Sequence, residues 1–113
     1  MKQLISIIAR FTIQGFHRWS ECNIKKVEFL RERHWHMFYV TCKKRVTHLD
    51  RDIEAITFRD ELIVYLMKKY KGEFGDLSCE MIAAELVEQF GLISCEVLED
   101  EQQGGMCEAI EEN

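Results

Sequence analysis

The sequence predicts an α+β domain, a β-β-α-α-β-β chain whose antiparallel sheet carries two helices on one face. Three observations lead there: two strand-like stretches in the N-terminal half, two stretches of helical periodicity in the middle, and two shorter strand-like stretches at the end. With 113 residues and no proline or low-complexity break, residues 1–113 read as a single domain with one modest core.

Residues 4–13 alternate, with Ile5, Ile7, Ala9, Phe11 and Ile13 on one face, and predict the first strand. The following segment, around Gly15, Ser20 and Asn23, reads as loop. Residues 35–46 are rich in aromatic and β-branched side chains and predict a second, long strand, ended by the polar stretch Thr47 to Asp52. From Phe58 to Tyr70 the period changes to 3.6. Phe58, Leu62, Tyr65, Leu66 and Lys69 share a stripe, and Lys68, Lys69 and Lys71 fall near the C-terminal end, where the helix dipole favours cations.

Gly72 to Asp76 reads as a break between helices. Ser78 is a natural N-cap, Glu80 follows in the first turn, and Ile82, Ala83, Leu86, Val87 and Phe90 form the buried stripe of a second helix that Gly91 closes. Leu92 to Glu99 predicts a third strand, Gly104-Gly105 part of a turn, and Met106 to Ile110 a short fourth strand. Such a sheet leaves its edges and one face without partners, and the first strand is apolar on both faces, at Leu4 and Ile8 as well as Ile5 and Ile7.

Composition narrows the function classes. Hydrophobic residues make up 47% and charged residues 31%, the balance of a folded globular chain rather than a disordered one. The net charge of -5 is unevenly spread: residues 1–56 carry 11 Lys/Arg against 6 Asp/Glu, and residues 57–113 carry 4 against 14. Nucleic acid is therefore a poor candidate partner, although the basic half suits a phosphate or an acidic small molecule. The apolar run Leu4 to Ala9 is too short to span a bilayer and lacks a cleavage pattern, so no membrane or export signal is expected. Five scattered cysteines without a C-x-x-C pair argue against a disulfide framework and for a reducing, cytoplasmic setting.

The residues richest in chemistry are His17 and the pair in His34-Trp35-His36. Side chains at i and i+2 of a strand leave the same face, so His34 and His36 point together while Trp35 points away. A third imidazole from a neighbouring strand end completes a three-nitrogen site that suits Zn2+ and leaves a position open. The plain alternative is that the three histidines pack or bridge strands without a metal.

The separated His and H-x-H, the strand order and a glutamate ending the third strand together resemble the tunnelling-fold (T-fold) family of pterin- and purine-binding proteins. The 6-pyruvoyl- and 6-carboxytetrahydropterin synthases are the nearest type. Phe11 to His17 and His34-Trp35-His36 look like that family's zinc-binding elements, with Trp35 in place of a glycine. Ser78-Cys79-Glu80-Met81-Ile82-Ala83 matches its [ST]-x-E-x-x-A motif. The resemblance implies zinc on His17, His34 and His36. It also implies a pocket for a pterin, deazapurine or purine-like ligand, with Glu99 holding the amino-pyrimidine edge by two parallel N–H bonds and Glu80 as a second contact. A ring-forming homo-oligomer is implied too, its edges closed into a barrel and its pockets at subunit boundaries, with Glu99 and the histidines drawn from neighbouring subunits.

The departures bear on activity. Leu30 stands where the synthases carry a catalytic cysteine, and Lys71 to Leu77 contains no histidine to complete the usual Asp/His proton relay, which leaves the catalytic residues unknown. Two functions follow: a zinc-dependent lyase of the tetrahydropterin synthase type, and a non-catalytic protein that binds or sequesters a nucleotide-like ligand. Other residues keep plain readings. His48 is a surface histidine, Cys22 a loop cysteine, Trp19 and Trp35 packing residues, and Glu80 equally a helix-end stabiliser. Asp50-Arg51-Asp52 with Glu54 reads as a solvated turn and as the remaining source of charge near a pocket mouth.

Overall fold

A computed structural model describes residues 2–110. β1 (Ile5–His17) and β2 (His34–Val46) form a long antiparallel hairpin, joined by a loop and a short 3-10 helix (Lys25–Arg31) that the sequence reading took as loop. α1 (Ala55–Tyr70), β3 (Glu73–Gly75) and α2 (Cys79–Phe90) follow, and β4 (Ser94–Glu99) with β5 (Gln103–Glu108) ends the described chain. The sheet order is β3-β1-β2-β4-β5. All pairings are antiparallel except β1 with β3, so the five-stranded sheet is mixed rather than purely antiparallel.

Alternation along each strand decides which side chains meet the helices. Ala9, Phe11, Ile13 and His17 of β1, Phe38, Val40 and Cys42 of β2, and Cys95 and Val97 of β4 are buried on the helix side. Phe58, Leu62 and Leu66 of α1 and Ile82, Ala83 and Leu86 of α2 complete that core. Tyr65 and Lys69, expected in the same stripe of α1, lie at its margin, where Tyr65, Tyr70 and Lys69 all engage Glu85 of α2.

The caps form as expected at α2, where the Ser78 hydroxyl accepts from the Met81 amide and Gly91 adopts a left-handed conformation. α1 begins three residues earlier than its apolar stripe suggests, because the Glu54 carboxylate accepts from the Ile56 and Thr57 amides and caps it. Asp52 likewise accepts from Thr47, and His48 is exposed beside it. These charges are spent on local turns away from the cavity described below, which corrects their reading as a pocket mouth.

Two glycine assignments also change. Gly104 and Gly105 lie inside β5, and the β4–β5 turn is made by Asp100 and Glu101, both in the left-handed region. A Cβ on Gly104 would fall 1.9 Å from the Val97 carbonyl oxygen, so that position needs glycine for close approach, whereas one on Gly105 would fall 2.5 Å from Cγ of the Glu80 side chain, which can move. β1 runs on through Gly15 to His17 for a similar reason. A Cβ at Gly15 would meet the Phe74 ring at 2.4 Å, and the bare backbone lets β3 bring Phe74 beneath the end of the hairpin.

Candidate metal centre

Strand register assembles the site. His17 lies directly opposite His34, Gly15 opposite His36, and Phe38 opposite Glu99. All four functional side chains occupy the helix-facing side, at the end of the sheet where β1 stops and β2 starts. The imidazole centroids are 4.7 Å apart for His17 and His34, 5.2 Å for His17 and His36, and 4.9 Å for His34 and His36. Phe38, fully buried, packs edge-on against His17 and His36 and gives the site an apolar floor.

Each Nδ1 faces an acceptor that has no proton to give. His17 Nδ1 donates to the Leu77 carbonyl at 3.1 Å, His34 Nδ1 to the Glu32 carbonyl at 2.8 Å, and His36 Nδ1 to the Asp100 carboxylate at 2.6 Å. The proton therefore resides on Nδ1 in all three neutral rings, and the lone pairs of Nε2 are left to point inward. Those three Nε2 atoms are buried and have no hydrogen-bond partner. Glu99 adds a carboxylate oxygen to them: Oε2 is 2.9 Å from His17 Nε2 and 3.5 Å from His36 Nε2, close but without an aligned hydrogen bond.

Three lone pairs and an anion gathered in one buried place call for a cation. One donor atom from each of His17, His34, His36 and Glu99 lies within 4.8 Å of the others, so the group can hold a metal ion. Imidazole nitrogens with a carboxylate are donors that suit zinc and other first-row divalent ions, and outer acceptors on every Nδ1 are what metal-binding histidines have. Burial opposes protonation of His17, but the Glu99 carboxylate and the Leu77 carbonyl outweigh it, and its pKa is raised. The same contact with His17 holds the Glu99 carboxyl below its usual range, against the burial that would raise it.

A cavity of about 510 Å³ opens beside the histidines, a size that takes a small ligand. His17, His34 and Glu99 form its inner wall, with Arg18, Trp19, Asp76, Cys79 and Glu80 among the others lining it. Glu80, expected as a ligand contact, does line this space. Glu99, expected at the ring edge, lines this space too and also stands beside the His17 and His36 imidazoles. The expectation that Glu99 and the histidines come from neighbouring subunits is also corrected, since one chain brings all four together.

Leu30 lines the cavity, so an apolar side chain occupies the wall. Cys22 does not replace it: its buried Sγ is directed to the Ile24 and Val27 carbonyls. The thiol that reaches the cavity is Cys79, held protonated because burial and the Glu99 and Glu80 charges push its pKa up to about 12. Trp19 and Trp35, expected to pack, are both substantially exposed, Trp19 at the cavity and Trp35 at 55% on the far face of the sheet.

Sequence reasoning missed Asp100, Arg18, Asp76 and Cys79. Asp100 had a signal in its position next to Glu99 at a strand end, but an acidic run reads first as a solvated turn. Arg18, paired with Asp76 at 3.9 Å, and Asp76, which accepts from Ser20, follow from the parallel β1–β3 pairing that no local pattern announces. Comparison with protein-family models gives no match, and comparison with curated proteins gives none either.

Proposed function

We propose that this chain is a zinc-binding protein of the T-fold type that recognises a pterin, deazapurine or purine-like ring. The observation that carries the proposal is the convergence of three buried, partnerless Nε2 atoms whose Nδ1 atoms are all engaged. The adjoining cavity supports the second half. It offers the Glu80 carboxylate, the Trp19 ring and the Arg18 guanidinium around a space of ligand size. A carboxylate suits the donor edge of an amino-substituted heterocycle, and an aromatic side chain suits its face.

When bound, zinc would supply Lewis-acid polarisation of a ligand oxygen. Around it, His17, His34 and His36 hold the site, Phe38 keeps its floor dry, and Leu77, Glu32 and Asp100 fix the ring tautomers. The test is metal analysis of the purified chain and of its His34→Ala, His36→Ala double variant. About one zinc per chain in the first and none in the second is the expected result; absence of zinc, iron and manganese from both would refute the proposal.

A second reading, binding without turnover, is favoured by two observations. Leu30 lines the cavity, and the Cys79 thiol that does reach it stays protonated. The lyase activity implied by the resemblance needs a group that exchanges a proton near neutral pH. Incubation with a dihydroneopterin triphosphate-type substrate separates the two: product formation supports the synthase reading, and a thermal shift with unchanged ligand supports the binding one.

A further inference from the structure

Glu99 belongs both to the metal site and to the cavity wall, and its two carboxylate oxygens are engaged differently. Oε2 faces His17 Nε2 at 2.9 Å and His36 Nε2 at 3.5 Å, while Oε1 accepts from the Gln103 side-chain amide at 3.4 Å. With metal–nitrogen and metal–oxygen bonds of about 2.0–2.2 Å, the donors of a tetrahedral ion stand roughly 3.3–3.5 Å apart. The Glu99 contacts with His17 and His36 bracket that separation, and with His34 the four donor atoms all lie within 4.8 Å of one another. A water molecule interposed between metal and carboxylate would require a longer gap, and the carboxylate would then lie beyond hydrogen-bond reach of the imidazole nitrogens.

We infer, on the reading that the three histidines hold a metal, that Glu99 is the fourth inner ligand and acts as a displaceable gate between the metal and the cavity. The resting centre is then closed, with three nitrogens and one oxygen, and it has no open position for water. Entry to the metal requires the carboxylate to turn aside, toward the Gln103 side on which Oε1 already rests. This also sets the class of group that can enter. An incoming donor must compete with an anionic oxygen, so an anionic or chelating oxygen ligand succeeds where a neutral carbonyl does not. Glu80 is then the free carboxylate of the cavity, positioned against Gly105 and available to the ligand itself.

The experiment uses the full chain loaded with Co2+, whose visible absorption reports coordination number, and acetohydroxamate as a bidentate oxygen probe. Wild type should show the intense bands of a four-coordinate ion and respond to acetohydroxamate only at high concentration. Glu99→Ala, with Glu99→Gln as the isosteric variant that keeps the fold, should weaken Co2+ binding by at least about tenfold, the lower bound for losing even an outer partner. In both variants the Co2+ bands should change in position and intensity as water takes the vacated place, and the probe should enter at lower concentration. Unchanged Co2+ affinity and spectrum in both variants, with binding still abolished by His34→Ala, would overturn the gate and leave the three-histidine site standing. Failure of wild type to bind Co2+ at all would overturn both.

Discussion

Asp100 sits in the left-handed region, at φ 52°, and accepts from His36 Nδ1 on one carboxylate oxygen and from the Met37 amide, at 3.1 Å, on the other. Those two bonds hold its carboxyl below the usual range and aim the His36 ring from outside the site. Asparagine tolerates the backbone conformation but has only one acceptor oxygen and no charge. Asp100→Asn should therefore weaken metal binding by about 10–100-fold in a chelator competition assay, with little change in the melting temperature of the metal-free chain. The neighbouring glycines of β5 separate in the same way. Gly104→Ala meets backbone atoms and should cost about 1–3 kcal/mol in urea unfolding, whereas Gly105→Ala meets only the flexible end of Glu80 and should disturb the cavity more than stability.

The two helices are joined across their margin by Glu85, which accepts from Tyr65 at 2.7 Å, from Tyr70, and pairs with Lys69 at 2.8 Å. Desolvation would raise the Glu85 pKa, but Lys69 and the two hydroxyls outweigh it, and the carboxyl is held below its usual range. Tyr70 is pushed up to about 12 by burial and the Glu85 charge, so it stays protonated throughout the acid range. A depressed folded pKa stabilises the protein fully above the unfolded carboxylate value of about 4.3, and that share is lost as pH falls through the lower folded value. Glu85→Gln should accordingly be less stable than wild type by about 1–2 kcal/mol near pH 7, with the gap closing as pH falls below about 4. Urea midpoints measured across that range provide the check; a gap independent of pH would assign the effect to packing.

At the scale of the molecule, the helices cover only one face of the sheet. On the other, Ile8, Trp35 and Met106 are each about half exposed. β1 meets β3 only at Phe16 and His17, so residues 5–15 have no strand on that side among the described residues, and the outer edge of β5 is open as well. Such edges pair with other chains unless proline, bulges or charge prevent it, and the sequence has no proline. The homo-oligomer implied by the resemblance, a sheet continued from β5 of one copy to β1 of the next until it closes, would satisfy both edges and bury the uncovered face. Light scattering after size-exclusion chromatography should give a multiple of 13.4 kDa; a monomer mass at micromolar concentration would contradict it. No helix among the described residues is long and apolar enough to cross a membrane.

Local pattern by itself determined several features of this protein. The H-x-H spacing puts His34 and His36 on one face, the 3.6 period and the Ser78 and Gly91 caps make α2, and alternation makes β1 and β2, because each depends on backbone geometry within a few residues. Tertiary structure decided the rest. Register brought Glu99 beside the histidines as well as the cavity, paired Phe16 and His17 with β3, and placed Gly104 and Gly105 in a strand rather than a turn. The partners that fix the imidazoles show why none of this was legible. Leu77 lies 60 residues from His17 and Asp100 lies 64 from His36, and periodicity assigns a side chain to a face but does not say which distant strand will lie beside it.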